Sequence, residues 1–122
     1  MGRVAEAEIK AEISARVEAE LHEYDPDAGN LRTVGQVMPM PEDWHRMLLA
    51  EFRAARIDPF ECEALFCGGV TQMCWTVTRS NGAYRVIWIP EAKVFSLAVE
   101  SKYGPVDIGV HGDAIAVFGS IH

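Results

Sequence analysis

The chain has 122 residues, of which 49% are apolar and 24% charged, and it carries a formal net charge of −7. That length fits one domain, large enough to bury a core without disulfide or metal staples. The composition excludes collagen-like and wholly disordered classes, and the acidic balance counts against a binder of nucleic-acid phosphates, which needs a basic face.

The acidity is uneven. Residues 1–30 carry a net −5, residues 31–69 a net −2, and residues 70–122 are neutral. From Val4 to Glu23 the chain is rich in Ala and Glu and lacks internal Gly or Pro, which predicts a helix over about 4–23. Ile9, Ile13, Val17 and Leu21 recur at every fourth residue. The stripe is narrow and drifts around the helix, so no long coiled coil is expected. Two readings follow. The segment is a surface helix docked by that stripe with a solvated acidic face. Alternatively it is an acidic arm that binds a protein partner through Glu8, Glu12, Glu18 and Glu20.

No apolar h-region opens the chain, no run approaches the roughly 18 apolar residues of a membrane span, and no lipidation motif occurs. The cysteines are Cys62, Cys67 and Cys74, an odd number at irregular spacing. This argues for a reducing compartment, so a cytoplasmic location without membrane contact is expected.

Tyr24 to Asn30 form a dense turn cluster. Asp25 and Asp27 imitate the start of a calcium loop, but Gly29, Asn30 and Gln36 stand where it needs a further ligand, a glycine and a bidentate glutamate. A helix stop is the better account. Leu31–Val37 is expected as a short edge strand; otherwise residues 24–40 are a long loop and a candidate binding segment.

Pro41, Glu42 and Asp43 suit the first turn of a second helix, over about 41–57. Trp44, Leu48, Phe52 and Ala55 make its apolar face. Asp58-Pro59-Phe60-Glu61 matches a capping box and predicts a third, short helix over about 59–66, stopped by Gly68-Gly69.

After Gly69 the period falls to two. Five strands are expected, at about 70–79, 84–90, 94–100, 106–111 and 114–119. The connections are too short for parallel crossovers, so the sheet reads as an antiparallel meander. Asn81-Gly82 predicts a type I′ turn and Gly112-Asp113 a type II′ turn. The first sets Ser80 opposite Ala83, Val77 opposite Val86, and Trp75 opposite Trp88, whose rings should meet. The expected fold is α+β: a single domain with N-terminal helices packed on a five-stranded antiparallel sheet.

One sheet face carries Met73, Trp75, Val77, Val86, Trp88, Val106, Ile108, Val110, Ile115 and Val117, joined by Phe95, Leu97 and Val99, and should be covered by helices. The other carries Cys74, Thr76, Thr78, Arg85, Ile87, Ile89, Ser96, Ala98, Asp107, Gly109, His111, Ala114, Ala116 and Phe118. Ile87, Ile89 and Phe118 are too apolar for a wet face. Either the N-terminal helix or another chain covers them, which makes a homodimer a reading to test.

Motifs for chemistry are sparse. The cysteines are spaced too widely for a zinc knuckle, and no metal or cofactor is expected. No nucleophile elbow, zincin, Walker or dinucleotide fingerprint occurs, so no catalytic residue is assigned. His111 with Asp107 and Asp113 is a polar cluster able in principle to supply a general base. Strand rise places Asp107 roughly 13 Å from His111, however. A ligand pocket is expected between the Trp44 helix and the sheet, near Trp75 and Trp88. Three functional classes remain: a protein-interaction module of inhibitor, antidote or adaptor type, a small-molecule binder or enzyme, and an oligomeric structural subunit. The missing catalytic motif favours a binder over an enzyme. The leading expectation is the protein-interaction module, engaging its partner through the acidic N-terminal helix or the second sheet face, with the other two classes as alternatives.

Overall fold

The computed structural model describes residues 2–24, 44–79 and 82–120. They form helices α1 (Gly2–Glu23) and α2 (Trp44–Ala55), then strands β1 (Arg56–Leu65), β2 (Thr71–Thr78), β3 (Tyr84–Ile89), β4 (Val94–Ser101) and β5 (Gly104–Gly112), and a closing helix α3 (Ala114–Gly119). The calcium-like turn, the edge strand at 31–37, the Pro41–Asp43 helix start, and Ser80 and Asn81 of the hairpin lie outside the described residues.

The α+β class holds, but two segments exchange roles. Residues 59–66 are not a helix. Phe60 through Leu65 pair antiparallel with Thr76 through Thr71, and this ladder satisfies the backbone that a short helix would leave half-capped. Pro59 falls inside the register irregularity between Arg56 and Phe60, where a missing N–H costs no ladder bond. Tertiary pairing has overridden the local capping signal.

Residues 114–119 are not a strand. Ala114, Ile115, Val117 and Phe118 are buried while Ala116 is exposed. That is a helical pattern, and strand alternation cannot produce it. Gly112 and Asp113 therefore lead into a helix, and the expected pairing of Val110 with Ile115 does not form.

The sheet is a closed barrel in the order β1-β2-β3-β4-β5. Its β2 to β5 hairpins are antiparallel, as the short connections require. Closure comes from β1, which pairs in parallel with β5 at Leu65 and Val106. Trp75 faces Trp88 in the expected register. The ring that Trp88 meets is Phe95, with centroids 4.8 Å apart.

Closure explains the over-apolar second face. Cys74, Ile87, Ile89 and Ala98, with Ala64 from β1, form the core inside the barrel. Small barrels are filled by side chains alone, and five strands leave less room than eight. Alanine, cysteine, threonine and serine on this face therefore suit the narrow interior. Thr76, Thr78 and Ser96 are buried there with hydrogen-bond partners, so the polar atoms are satisfied. Ile87 and Ile89 are thus interior residues, and Phe118 lies on α3 with its ring 5.5 Å from that of Phe52. None of the three is on a surface open to a partner.

The larger core lies outside the barrel. Trp75, Val77, Val86, Trp88, Phe95 and Leu97 meet Ile13 and Val17 of α1, Leu48 and Phe52 of α2, and the buried side of α3. Met73 and Ile108, expected under this cover, are exposed. Helix α1 is held through its middle. Ile13 and Val17 are fully buried, which stabilises docking by roughly 1.5–3 kcal/mol each. Polar ties flank them: Lys10 with Asp58, Glu12 with Lys93, and Glu18 with Arg56.

Candidate functional site

The three helices converge on a cleft of about 370 Å³. The end of α1 supplies Glu20 and Glu23, followed by Tyr24; α2 supplies Trp44, His45 and Leu48; Asp113 and the α3 residues Ile115, Ala116 and Gly119, with Ser120, close it. Its lining combines aromatic and aliphatic side chains with a few polar groups.

Each wall has a local cause. The Tyr24 hydroxyl lies 2.8 Å from His45 Nδ1, and the Trp44 ring meets the His45 ring edge-on at 4.8 Å. These contacts hold the imidazole between two aromatic residues. His45 Nε2 is buried with no hydrogen-bond partner. Such an orphaned atom costs about 1–3 kcal/mol.

Glu20 makes the opposite wall. Its two carboxylate oxygens accept hydrogen bonds from the backbone N–H groups of Ala114 (2.9 Å) and Ile115 (3.0 Å). Asp113 occupies the N-cap position of α3 in an extended conformation and makes no side-chain cap bond. Glu20 therefore caps α3 from another helix. Burial raises Glu20 above the ordinary carboxylate range; the two N–H bonds and Arg16 oppose the rise, and the nearby Asp113 charge adds to it.

Gly119 sets how closely α3 approaches α2. A Cβ there would lie 2.9 Å from Leu48 Cδ2 and 3.6 Å from Trp44 Cη2. The glycine thus lets Leu48 and Trp44 keep their places in the cleft wall.

Of the pocket residues expected from sequence, Trp44 lines this cleft. Trp75 and Trp88 do not; both are buried in the core, with the Arg16 guanidinium 5.2 Å from the Trp88 ring centroid. Of the acidic helix residues, Glu8 is exposed, Glu12 and Glu18 hold Lys93 and Arg56, and Glu20 caps α3.

The polar cluster splits. Asp107 and His111 come together, with Nε2 3.4 Å from Oδ2, against the 13 Å expected of a regular strand. The cause is a bulge: Ser96 faces His111 while Ala98 faces Asp107, which loops the intervening residues around Gly109. Gly109 has φ +81°, a left-handed conformation that suits glycine. Asp113 lines the helical cleft. Ser96 donates to the other Asp107 oxygen, so the aspartate stands between serine and histidine. A nucleophilic triad needs the histidine in the middle, so this arrangement does not activate Ser96.

The cysteines stand differently from the expected short helix. Cys62 lies on β1 directly opposite Cys74 on β2, and Cys67 is exposed in the turn between them. Thr76 donates to Cys62 Sγ and accepts from Arg85, which also pairs with Glu100. Burial raises the Cys62 thiol and pushes that of Cys74 up to about 12. Among the described residues no three His, Cys, Asp or Glu side chains gather as a metal site, and no helix is long and apolar enough to cross a membrane.

No family model, curated protein or solved structure matches this chain.

Proposed function

We propose that this chain is a small-molecule-binding protein, with its ligand seated between the end of α1, the first turn of α2, and α3. One observation carries the reading: a cavity of about 370 Å³ is lined by Tyr24, Trp44 and His45 as well as by Glu20, Glu23 and Asp113. Cavities of this order hold small ligands, and a limited set of polar groups on aromatic walls provides orientation.

The test is amide NMR of the full chain with a library of aromatic fragments. Binders should shift Tyr24, Trp44, His45 and Gly119 together. Trp44→Ala should abolish those shifts, whereas Tyr103→Ala, at an exposed turn, should leave them unchanged. Fragments that bind only elsewhere, or equally well to Trp44→Ala, would overturn the proposal.

A further inference from the structure

We infer that the ligand of this cleft carries an organic ammonium group on an apolar body, held between the Trp44 side and the carboxylates of Glu23, Asp113 and Glu20. This rests on the reading of the cleft as a ligand site and adds the chemical class.

Among the described lining residues the charge is one-sided. Glu20, Glu23 and Asp113 line the cleft, and no Lys or Arg is among its described lining residues. Asp113 and Glu20 repel each other across the wall, and a bound cation relieves that repulsion. The chain as a whole carries −7, which adds long-range attraction for a cation.

The same wall rejects an anion. The free backbone N–H groups at the start of α3 would be the natural anion donors, but Glu20 already occupies those of Ala114 and Ile115. Each ionised carboxylate oxygen can accept more than one hydrogen bond. Glu20 can therefore cap α3 and still accept from an ammonium, while Glu23 and Asp113 are exposed and accept as well.

The apolar half of the ligand has its own wall. Trp44, Tyr24, Leu48 and Ile115 line the cleft beside the carboxylates. Aromatic faces also attract a cation placed over them, by about 0.5–1 kcal/mol at exposed sites and more when water is excluded. An amine on a short apolar stem matches both halves.

The experiment compares three probes of nearly equal shape: phenethylamine, phenethyl alcohol and hydrocinnamate. Binding to the full chain is followed by calorimetry and by the amide shifts of Tyr24, Trp44 and Gly119. Phenethylamine should bind about tenfold tighter than the alcohol, with hydrocinnamate the weakest. The double variant Glu23→Gln, Asp113→Asn leaves the Glu20 cap in place. It should remove most of the amine's advantage over the alcohol, the remainder being held by Glu20, while leaving the alcohol unchanged. If the alcohol or hydrocinnamate binds as well as the amine, the charge inference fails and the cleft remains a ligand site. If none of the three shifts these amides, and the aromatic library also fails to, the inference falls with the reading beneath it.

Discussion

Glu20 on α1 accepts the backbone N–H of Ala114 on α3 at 2.9 Å, across 94 residues of sequence, and its second oxygen accepts from Ile115. The six-residue α3 is too short to persist alone, since isolated helices need about 12–15 residues even in good sequences. Its order depends on this cap and on its buried side.

Removing the cap should therefore loosen α3 before the rest. Glu20→Ala leaves two N–H donors short of a partner, and loss of about 1–2 kcal/mol is expected in urea unfolding. Hydrogen exchange at the Ala114 and Ile115 amides should accelerate more than at barrel amides. Glu20→Gln retains a carbonyl acceptor and should lose less. Unchanged protection of those two amides in Glu20→Ala would overturn the capping role.

Two glutamates on α1 should respond to pH with opposite sign. The native state holds Glu20 above its ordinary value of 4.5, chiefly through burial. As pH rises from 4.5 through that raised value, the unfolded chain has lost the proton that the native chain retains. Stability therefore falls across this window. Glu18 is lowered from 4.5, first by its hydrogen bond to Arg56 and then by that residue's charge. Its contribution is present above 4.5 and is lost as pH falls through the lowered value. It is exposed and should fade with added salt. Urea midpoints of the wild type and Glu20→Gln, followed upward from 4.5, should diverge, with the variant losing less stability as pH rises. Parallel curves would show that Glu20 titrates alike in both states.

The cysteines predict a reactivity pattern. Cys67 is exposed, whereas burial raises Cys62 and pushes Cys74 up to about 12. The thiolate is the reactive form, so alkylation of the native chain should modify Cys67 alone. Cys62 and Cys74 should react only on unfolding. Peptide mapping after brief iodoacetamide treatment checks this, and early labelling of Cys74 would contradict a closed barrel interior.

Features coded locally were readable in the sequence. The Ile9, Ile13, Val17, Leu21 stripe marks α1, and Ile13 and Val17 are its buried centre. The short connections and the Asn81-Gly82 signal imply the register that sets Trp75 opposite Trp88. Features settled by distant partners were not. Asp58-Pro59-Phe60-Glu61 carries a good helix start, yet the β2 edge claims it. Residues 114–119 form an apolar run too short to reveal its period. The parallel contact of Leu65 with Val106 that closes the barrel has no local sign, and without closure Ile87 and Ile89 read as exposed. The cleft was half visible. Trp44 announced a pocket, but Glu20, His45 and Gly119 enter it only because α3 folds back between the first two helices.

Two glycines should fail for different reasons when replaced by alanine. At Gly109 nothing lies within 4 Å of the added Cβ, but φ is +81°. Gly109→Ala should cost about 1–2 kcal/mol from backbone strain alone. Gly109→Asn should cost less, because asparagine tolerates the left-handed region. At Gly119 the obstacle is steric, the Leu48 methyl at 2.9 Å. Gly119→Ala should cost about 1–3 kcal/mol by overpacking and should shift the Trp44 signals. Shortening the obstacle should then help: Leu48→Val should recover part of the loss in Gly119→Ala and none of it in Gly109→Ala. A double-mutant cycle by urea unfolding measures this coupling. Equal coupling of Leu48 to both glycines, or coupling to neither, would contradict the close approach of α2 and α3 that shapes the cleft.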